Sequence, residues 1–234
     1  MLIAHRGFRK GNKENRMADF KNALNFCKGV EFDIRLTKDK KVIIFHDDDF
    51  KRIGNCNKKV RKLTYQEIKN LDFFKKNPDY LPPLFVEEFG QQLSDKFELI
   101  NVEIKQDKYS KSDFEIIKES IFKLKSMTKA EIIISSFGLK ELKFISNLEK
   151  GFKKGYLFKR IIFINKWRLK KFDYLHAPIY ILLNKNKTKK IRSLKKPINA
   201  WTFLNNKQVF ELKQIYSDSE IVSYISDNPN LDLN

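Results

Sequence analysis

The chain has 234 residues, enough for one large hydrophobic core, and we expect residues 1–234 to form a single domain. Its 48 Lys and Arg residues outnumber 29 Asp and Glu residues, and the formal charge of +19 suits anionic partners such as phosphate esters, nucleic acid or an acidic membrane surface. The lysines are spread along the chain, so composition leaves open whether this charge has a function beyond solubility. The two cysteines, Cys27 and Cys56, are too few for a disulfide scaffold.

We interpret both cysteines as free thiols in a reducing compartment. The first residues, 1–6, enter a strand-like run directly and lack the apolar core of a signal peptide. No apolar run approaches the roughly 20 residues that a membrane-spanning helix needs. These features predict a cytoplasmic protein, and its oligomeric state is left open.

The first part of the chain predicts three strands. Strands over residues 2–5 and 30–36 flank an amphipathic helix in which Met17, Phe20 and Leu24 recur at helical spacing. A polar turn then leads into an apolar strand over residues 42–45. So short a link predicts an antiparallel hairpin, in which we expect His46 and Asp33 to lie at opposite ends of the sheet.

The remainder predicts an α/β fold. Residues 48–84 lack a sustained period and predict an inserted, surface-covering segment with a short helix near residues 64–71. Ser112 and Glu115 have the spacing of a capping box that would begin a helix. Further predicted strands are 98–105, 132–135, 154–158, 174–178 and 198–203, and predicted helices are 84–93, 139–148, 188–194 and 207–216. Eight strands alternating with helices predict a TIM (β/α)8 barrel with a small insertion after the third strand.

Two predicted strands carry an unusual charge pattern. Side chains two residues apart on a strand share a face, so Glu31 lies beside Asp33, and Glu103 lies beside Lys105. Their neighbours are Val, Phe and Ile, which form buried strands. Because buried charge is costly unless it is paired or bound to metal, the pattern indicates either salt bridges or a metal site.

In a TIM barrel the ligand site lies where the parallel strands end. Three carboxylates without a thiolate favour a hard cation, Mg²⁺ or Ca²⁺, and a pair of histidines can supply a general base and a general acid. With such a cation bound, Lys105 and Arg6 would make the site net positive and suited to a phosphodiester monoanion. The residues placed at this end are His5, Glu31, Asp33, His46, Glu103, Lys105, Ser136 and Trp201.

An ordered set of motifs resembles the glycerophosphodiester phosphodiesterase family. The motifs are His5-Arg6-Gly7, Glu14-Asn15, Glu31-x-Asp33, His46-Asp47, Asn101-x-Glu103-x-Lys105 and Trp201-Thr202. The resemblance implies a TIM barrel whose insertion covers about residues 48–84. It also implies that the second and third strands run parallel, which would bring His46 beside Asp33.

The resemblance further implies residue roles. His5 and His46 would be the catalytic acid/base pair, Glu31, Asp33 and Glu103 would bind the divalent metal, and Arg6 and Lys105 would contact the phosphate. The implied reaction hydrolyses a small-molecule glycerophosphodiester to sn-glycerol 3-phosphate and an alcohol. Trp201 would form an apolar wall for the glycerol moiety, with core packing as an equal alternative.

Other readings remain open at this point. A related barrel enzyme could act on lysophospholipid or phosphatidylinositol head groups, and a noncatalytic basic module could bind an anionic surface. We expect no nucleic-acid partner. The basic run at residues 185–190 is interpreted as a solvated helix start, with weak contact to an anionic membrane as the alternative. His176 is interpreted as a hydrogen-bonded structural residue, with a place in the pocket lining near its strand end as the alternative.

Overall fold

The computed structural model describes residues 1–233, apart from the side chain of Phe163, so Asn234 of the predicted domain lies outside the described residues. Eight parallel strands close into a barrel surrounded by helices, and this confirms the predicted fold class. The described strands are β1 (Leu2–His5), β2 (Gly29–Leu36), β3 (Val42–Ile44), β4 (Asp49–Phe50), β5 (Cys56–Lys59), β6 (Leu99–Ile104), β7 (Glu131–Ser136), β8 (Lys153–Leu157), β9 (Tyr174–Pro178), β10 (Ile198–Phe203) and β11 (Ile221–Ser226).

Most helices lie outside the barrel between successive strands. A π-helical turn at Phe85–Gly90 precedes α5, and none of the helices in the described part of the chain has the length and apolar character to cross a membrane. The described α-helices are α1 (Met17–Ala23), α2 (Lys51–Gly54), α3 (Tyr65–Lys69), α4 (Asp72–Lys76), α5 (Gln91–Leu93), α6 (Lys111–Met127), α7 (Leu139–Ser146), α8 (Lys166–Leu169), α9 (Ile179–Leu182), α10 (Lys185–Arg192) and α11 (Asn206–Lys213).

The barrel contains a strand that the sequence pattern did not predict. Its strand order is β1, β11, β10, β9, β8, β7, β6, β2, and pairing between β2 and β1 closes the ring. β11 (Ile221–Ser226) is the missed strand, and β3, which was counted among the eight, lies outside the ring. The predicted number of barrel strands is therefore correct, but one member of the set is wrong.

The parallel arrangement implied for the second and third strands is wrong, because β3 pairs antiparallel with β2. β1 ends at His5 opposite Glu31, whereas β2 continues to Leu36, and β3 pairs with that longer end. The hairpin still brings His46 to Asp33: the Phe45 N–H donates to the Asp33 carbonyl at 2.9 Å. The expected separation of His46 and Asp33 is therefore also wrong. The turn between β2 and β3 is short, and the register of the hairpin brings the chain after β3 back beside the charged residues of β2.

Alternation along the strands separates an apolar shell from a polar interior. On β2, Phe32 and Ile34 belong to the main hydrophobic core, which packs between the sheet and the helices. Asp33, between them, is buried on the opposite face with polar partners. A strand that is buried on both faces thus presents apolar groups outward and charged groups into the barrel.

The inserted segment has a smaller core of its own. Phe50, Ile53, Ile68 and Phe74 pack with Phe45, which follows β3. The predicted short helix is present as α3, and Thr64 and Glu67 form its capping box. This packing fixes the chain on both sides of His46.

Two details at helix starts differ from or agree with the sequence pattern. The capping box of α6 is formed by Ser110 and Asp113, so the predicted pair Ser112 and Glu115 is wrong by two residues. The basic run at residues 185–190 opens α10, as interpreted, with Asn184 as its N-cap. Contact of this helix with a membrane stays a prediction.

Cys27 and Cys56 are free, as predicted.

Candidate active site

A cavity of about 350 Å³ lies where the barrel strands end, and it gathers most of the predicted site residues. Two of the sequence-selected residues do not line it. Asp33 is fully buried beneath it, and the Ser136 hydroxyl donates to the Ile104 carbonyl at 2.6 Å, which makes Ser136 a structural residue. Predicted residues that line the cavity are His5, Arg6, Glu31, His46, Glu103, Lys105 and Trp201.

Three carboxylates meet beside this cavity. Glu31 and Asp33 come from β2 and Glu103 from the adjacent β6, where Asp33 and Glu103 are in register. One oxygen from each carboxylate lies within 4.8 Å of the others, and all three side chains are buried. Neighbouring parallel strands therefore place an all-oxygen cluster at one level of the barrel, of the kind that hard cations prefer.

Two cations, Arg6 and Lys105, contact the three carboxylates. We call the five residues together the mouth cluster: Glu31, Asp33, Glu103, Arg6 and Lys105. Lys105 Nζ lies 2.7 Å from Glu103 Oε1 and 3.3 Å from Asp33 Oδ1, and Arg6 Nε lies 3.1 Å from Asp33 Oδ2. Burial alone would raise the pKa of Asp33, but Lys105 and Arg6 hold it well below its usual range. Burial alone would lower the pKa of Lys105, and the charges of Glu103 and Asp33 raise it instead.

Glu31 shows that the mouth cluster is short of positive charge. Its pKa lies well above the usual range, first because it is buried and then because Asp33 and Glu103 repel its negative charge. Two cations face three carboxylates, so one negative charge is unmatched. A divalent cation would supply the deficit, and the oxygen-only donor set fits Mg²⁺ or Ca²⁺.

The two histidines are held in the same manner on different elements. His5, at the end of β1, pairs through Nδ1 with Asp227 Oδ1 at 2.5 Å, and His46 pairs through Nδ1 with Asp47 Oδ1 at 2.6 Å. Each pairing fixes the orientation of the ring and leaves its Nε2 atom available to a ligand in the cavity. His5 Nε2 lies 3.9 Å from Glu31 Oε2. Burial lowers the pKa of His5, although its hydrogen bond with Asp227 opposes the shift.

Arg35 fixes the backbone that carries His46. It is the next inward residue of β2 after Asp33, and its side chain is buried. Its Nε and Nη2 donate to the His46 carbonyl at 3.0 and 2.9 Å. Because His46 lies on a loop beyond β3, this two-bonded contact ties the loop to a barrel strand.

A chain of ion pairs joins the His46 side of the mouth to the mouth cluster. Arg52 donates to Asp47 Oδ2 at 2.8 Å and to Glu14 Oε1 at 2.6 Å, and Glu14 Oε1 also accepts from Arg6 at 3.1 Å. Burial alone would lower the pKa of Arg52, but Glu14 and Asp47 raise it. Glu14 and Arg52 thus hold Arg6 and Asp47 in place.

Asp227, Asp47 and Arg35 are site residues to which the sequence reasoning gave no role. Asp227 follows β11, the strand that was not predicted, so nothing placed it at the mouth. Arg35 continues the series Glu31, Asp33 at two-residue spacing, and this was the available signal. Pairing of a carboxylate with a particular histidine nitrogen depends on tertiary geometry and had no sequence signal.

Trp201 lines the cavity and is partly exposed there. Its ring packs edge-on against Phe137 with ring centroids 5.6 Å apart. Trp201 therefore packs against Phe137 and also borders the cavity, and its contact with glycerol stays a prediction.

Deeper in the barrel, His176, Asn199 and Ser223 form a neutral polar group that we call the inner network. Ser223 Oγ donates to Asn199 Oδ1 at 2.6 Å, and Asn199 Nδ2 donates to His176 Nε2 at 2.9 Å. Burial lowers the pKa of His176 to about 3, so the ring is neutral. A Cβ on Gly155 would lie 2.3 Å from His176 Nε2, which explains the glycine. His176 is hydrogen-bonded, as interpreted, and it also lines the cavity.

A closed (β/α)8 barrel with carboxylates, histidines and cations gathered where its strands end is the architecture of a barrel enzyme. The family model of the "Glycerophosphoryl diester phosphodiesterase family" matches residues 5–231. The chain belongs to this family, and its reaction class is the hydrolysis of glycerophosphodiesters. An enzyme is therefore a better interpretation of this chain than a noncatalytic basic module.

Relatives and solved structures agree with the assignment. A glycerophosphodiester phosphodiesterase of Caldanaerobacter subterraneus subsp. tengcongensis is 34% identical over 68% of this chain and 66% of its own length. An uncharacterised protein of Mycoplasma genitalium is 31% identical over 97% of this chain and 94% of its own length. The Thermotoga maritima glycerophosphodiester phosphodiesterase superposes with a TM-score of 0.76 at 26% identity, over 97% of this chain and 94% of that one.

One structural neighbour contains a product. An Oleispira antarctica phosphodiesterase, in complex with sn-glycerol-3-phosphate, superposes with a TM-score of 0.75 over 98% of this chain and 93% of that one. At 23% identity this likeness concerns the fold.

Proposed function

We propose that the protein hydrolyses glycerophosphodiesters to sn-glycerol 3-phosphate and an alcohol with a divalent metal, Mg²⁺ or Ca²⁺, and two histidines. The observation that carries the proposal is the buried carboxylate cluster beside two histidines whose Nδ1 atoms are each paired with an aspartate. The product bound by the Oleispira antarctica neighbour supports the same reaction.

Glu31, Asp33 and Glu103 would hold the metal. The fit rests on their oxygen-only donor set and on the raised pKa of Glu31, which reflects burial and unmatched negative charge. A bound divalent cation would polarise a phosphate oxygen and offset the negative charge that grows on it during the reaction.

Arg6 and Lys105 bind and orient the phosphate in this proposal. Arg6 is buried and Lys105 is partly buried, both line the cavity, and their charges lie next to the carboxylates that would hold the metal. Trp201 provides an apolar wall for the glycerol carbons.

His5 and His46 exchange the protons. The glycerol 2-hydroxyl attacks phosphorus while one histidine accepts its proton and the other protonates the departing alcohol oxygen. Water then opens the cyclic phosphate with the histidine roles reversed, and sn-glycerol 3-phosphate is released. Asp227 and Asp47 pair with the Nδ1 atoms of the two rings, so that each Nε2 is free to accept or release a proton at the cavity.

The direct experiment measures sn-glycerol 3-phosphate released from glycerophosphocholine by purified protein. We expect release that stops on chelation, returns with Mg²⁺ or Ca²⁺, and is lost in His5→Ala. Phe210→Ala, at an exposed position on α11, is the control variant and should retain activity. Turnover that survives both chelation and His5→Ala would refute the proposed mechanism.

The setting of the enzyme is part of the same proposal. We propose one domain over residues 1–234 with residues 48–84 as its insertion, supported by the family match over residues 5–231. Free thiols at Cys27 and Cys56 support a reducing, cytoplasmic compartment. The partner is a small-molecule phosphodiester, and no nucleic-acid partner is expected.

A further inference from the structure

Two hollows flank the active-site cavity, and Lys105 borders all three spaces. One hollow, of about 880 Å³, is lined by Lys105, Lys159 and Arg168, and we call it the cationic groove. The other, of about 430 Å³, is lined by His46, residues 47–49 and Lys105, and we call it the acidic hollow. Because the phosphate is proposed to lie at Lys105, the head group of the substrate can extend into either space.

The acids of the acidic hollow are already bonded within the protein. Asp47 accepts from Arg52 at 2.8 Å, and Asp48 accepts from Lys59 at 2.9 Å. Oδ1 of Asp49 accepts a backbone N–H at 3.0 Å. A cationic head group in the acidic hollow would compete with these partners, so the acidic hollow offers it little unmatched charge.

The cationic groove has the opposite balance. Lys159 and Arg168 line it, and neither forms an ion pair within the described part of the chain. The acidic residue of its described lining, Glu103, is already paired with Lys105 at 2.7 Å. The cationic groove therefore carries positive charge that the protein does not match.

Arg168 shows that this charge lacks a partner inside the fold. Its side chain is partly buried, and its Nη1 atom is buried without a hydrogen-bond partner among the described residues. An N–H donor that is removed from water and left unbonded is costly. The planar guanidinium can donate two parallel hydrogen bonds to a carboxylate or a phosphate. The unbonded donor thus indicates an anionic ligand in the cationic groove.

Lys159 lies where the cationic groove meets the active-site cavity, because it lines both spaces. Its Nζ lies 5.3 Å from the centroid of the Phe137 ring, and a cation near an aromatic ring in this way keeps its charge. The Tyr180 hydroxyl donates to the Lys159 carbonyl at 2.6 Å and fixes the backbone. A head group that extends from Lys105 into the cationic groove therefore meets the Lys159 ammonium.

We propose that the cationic groove binds the head group, and that the preferred substrates are glycerophosphodiesters whose head group carries an additional anionic group, a carboxylate or a second phosphate. Lys159 and Arg168 are the specificity-determining residues. The inference rests on the proposed function and leaves its reaction unchanged, since the bond that breaks is still the one between phosphorus and the head-group oxygen. A head group without the added anion leaves both cations unmatched.

The test compares substrates that differ by one anionic group, through release of sn-glycerol 3-phosphate with Mg²⁺ or Ca²⁺. Glycerophosphoserine carries a carboxylate that glycerophosphoethanolamine lacks, and glycerophosphoglycerol with a terminal phosphate is compared with glycerophosphoglycerol. We expect kcat/KM to be about tenfold higher for the more anionic member, because charge-assisted hydrogen bonds form with it alone. The gain should shrink at high ionic strength. The pair with the larger gain identifies the anion that the cationic groove prefers.

Substitutions assign the preference to the two cations. Lys159→Glu should invert the ratio of kcat/KM within each pair, and Arg168→Met should remove most of the gain. Lys153→Glu is the matched control, since Lys153 is an exposed lysine at the other end of β8 from Leu157, which lines the cavity. It makes the same change in net charge as Lys159→Glu and should leave the ratio as in the native protein.

The outcomes separate this inference from the proposed function. Equal kcat/KM within both pairs, or a preference that persists in both Lys159→Glu and Arg168→Met, would overturn the inference and leave the proposed function standing. An equal loss of preference in Lys153→Glu and Lys159→Glu would also overturn it, because net charge alone would then be the cause. Turnover of none of the four substrates would overturn both.

Discussion

Two buried polar groups among the described residues of the barrel interior, the mouth cluster and the inner network, differ in their charge balance. The mouth cluster has three carboxylates against two cations, and the raised pKa of Glu31, due to burial and to its acidic neighbours, shows unmatched charge. The inner network is neutral and connected by hydrogen bonds of 2.6 and 2.9 Å. Since both are buried, burial alone does not identify a functional site. Charge left unmatched by the protein is the more specific sign, because a bound cation can match it.

The largest effect should come from the histidines beside the mouth cluster. His46→Ala should lower kcat by about 10²- to 10⁴-fold, because a positioned acid or base is lost, and should leave the thermal midpoint unchanged. His46 is partly exposed, so its removal leaves no large cavity. Steady-state kinetics and thermal unfolding of the same preparation check this. A variant that keeps its kcat would show that His46 transfers no proton in the limiting step.

A smaller loss of activity should follow from Arg35→Ala. Without the two bonds to the His46 carbonyl, the loop carrying His46 loses its tie to β2, and kcat should fall about tenfold while KM changes little. In the double variant with His46→Ala, the Arg35 substitution should cause no further loss. An additive loss would mean that Arg35 acts on something other than His46.

The inner network should respond in stability instead of activity. Ser223→Ala removes the donor to Asn199 Oδ1, and an unsatisfied buried acceptor costs about 1–3 kcal/mol in the free energy of unfolding. Activity per folded molecule should not change. Ser126→Ala is the matched control, since that hydroxyl bonds a helix carbonyl at the surface. Urea unfolding measures both, and equal effects of the two substitutions would contradict the role given to the inner network.

The effect that is smallest near neutral pH concerns the pH dependence of stability. Burial lowers the pKa of His176 from 6.5 to about 3, so below pH 6.5 the unfolded chain gains a proton that the folded chain does not. Stability due to this group is present above pH 6.5 and is lost as pH falls, by about 1.4 kcal/mol per pH unit. His176→Gln should flatten the acid side of the stability curve by that slope. Identical slopes in both proteins would show that His176 is protonated in the fold.

The barrel and the mouth cluster could be predicted from the sequence because both depend on patterns that repeat over a few residues. The two-residue spacing predicted that Glu31 shares a face with Asp33, and Glu103 with Lys105. Because β2 and β6 are neighbouring parallel strands, their ends bring the two pairs together. The family resemblance correctly brought His46 to Asp33 but implied the wrong strand direction. The direction depends on where β1 ends relative to β2, which is a property of pairing between distant segments.

Other parts of the site could not be predicted from local sequence patterns. β11 was missed, and with it Asp227, although Asp227 holds His5 at 2.5 Å. The pairs Arg35 with His46 and Arg52 with Glu14 join residues from separate elements, and only the folded register brings them into contact. Side chains that hold other side chains in place are therefore harder to predict than the groups that we propose to contact the substrate.

The central claim is that the mouth cluster binds one divalent cation. Calorimetric titration of Mg²⁺ and Ca²⁺ into metal-free protein tests it most directly, without dependence on turnover. One site is expected in the native protein and in Ser223→Ala, and none in the folded triple variant Glu31→Gln, Asp33→Asn, Glu103→Gln. Binding that is equal in the native protein and the triple variant, or no binding in the native protein, would contradict the account.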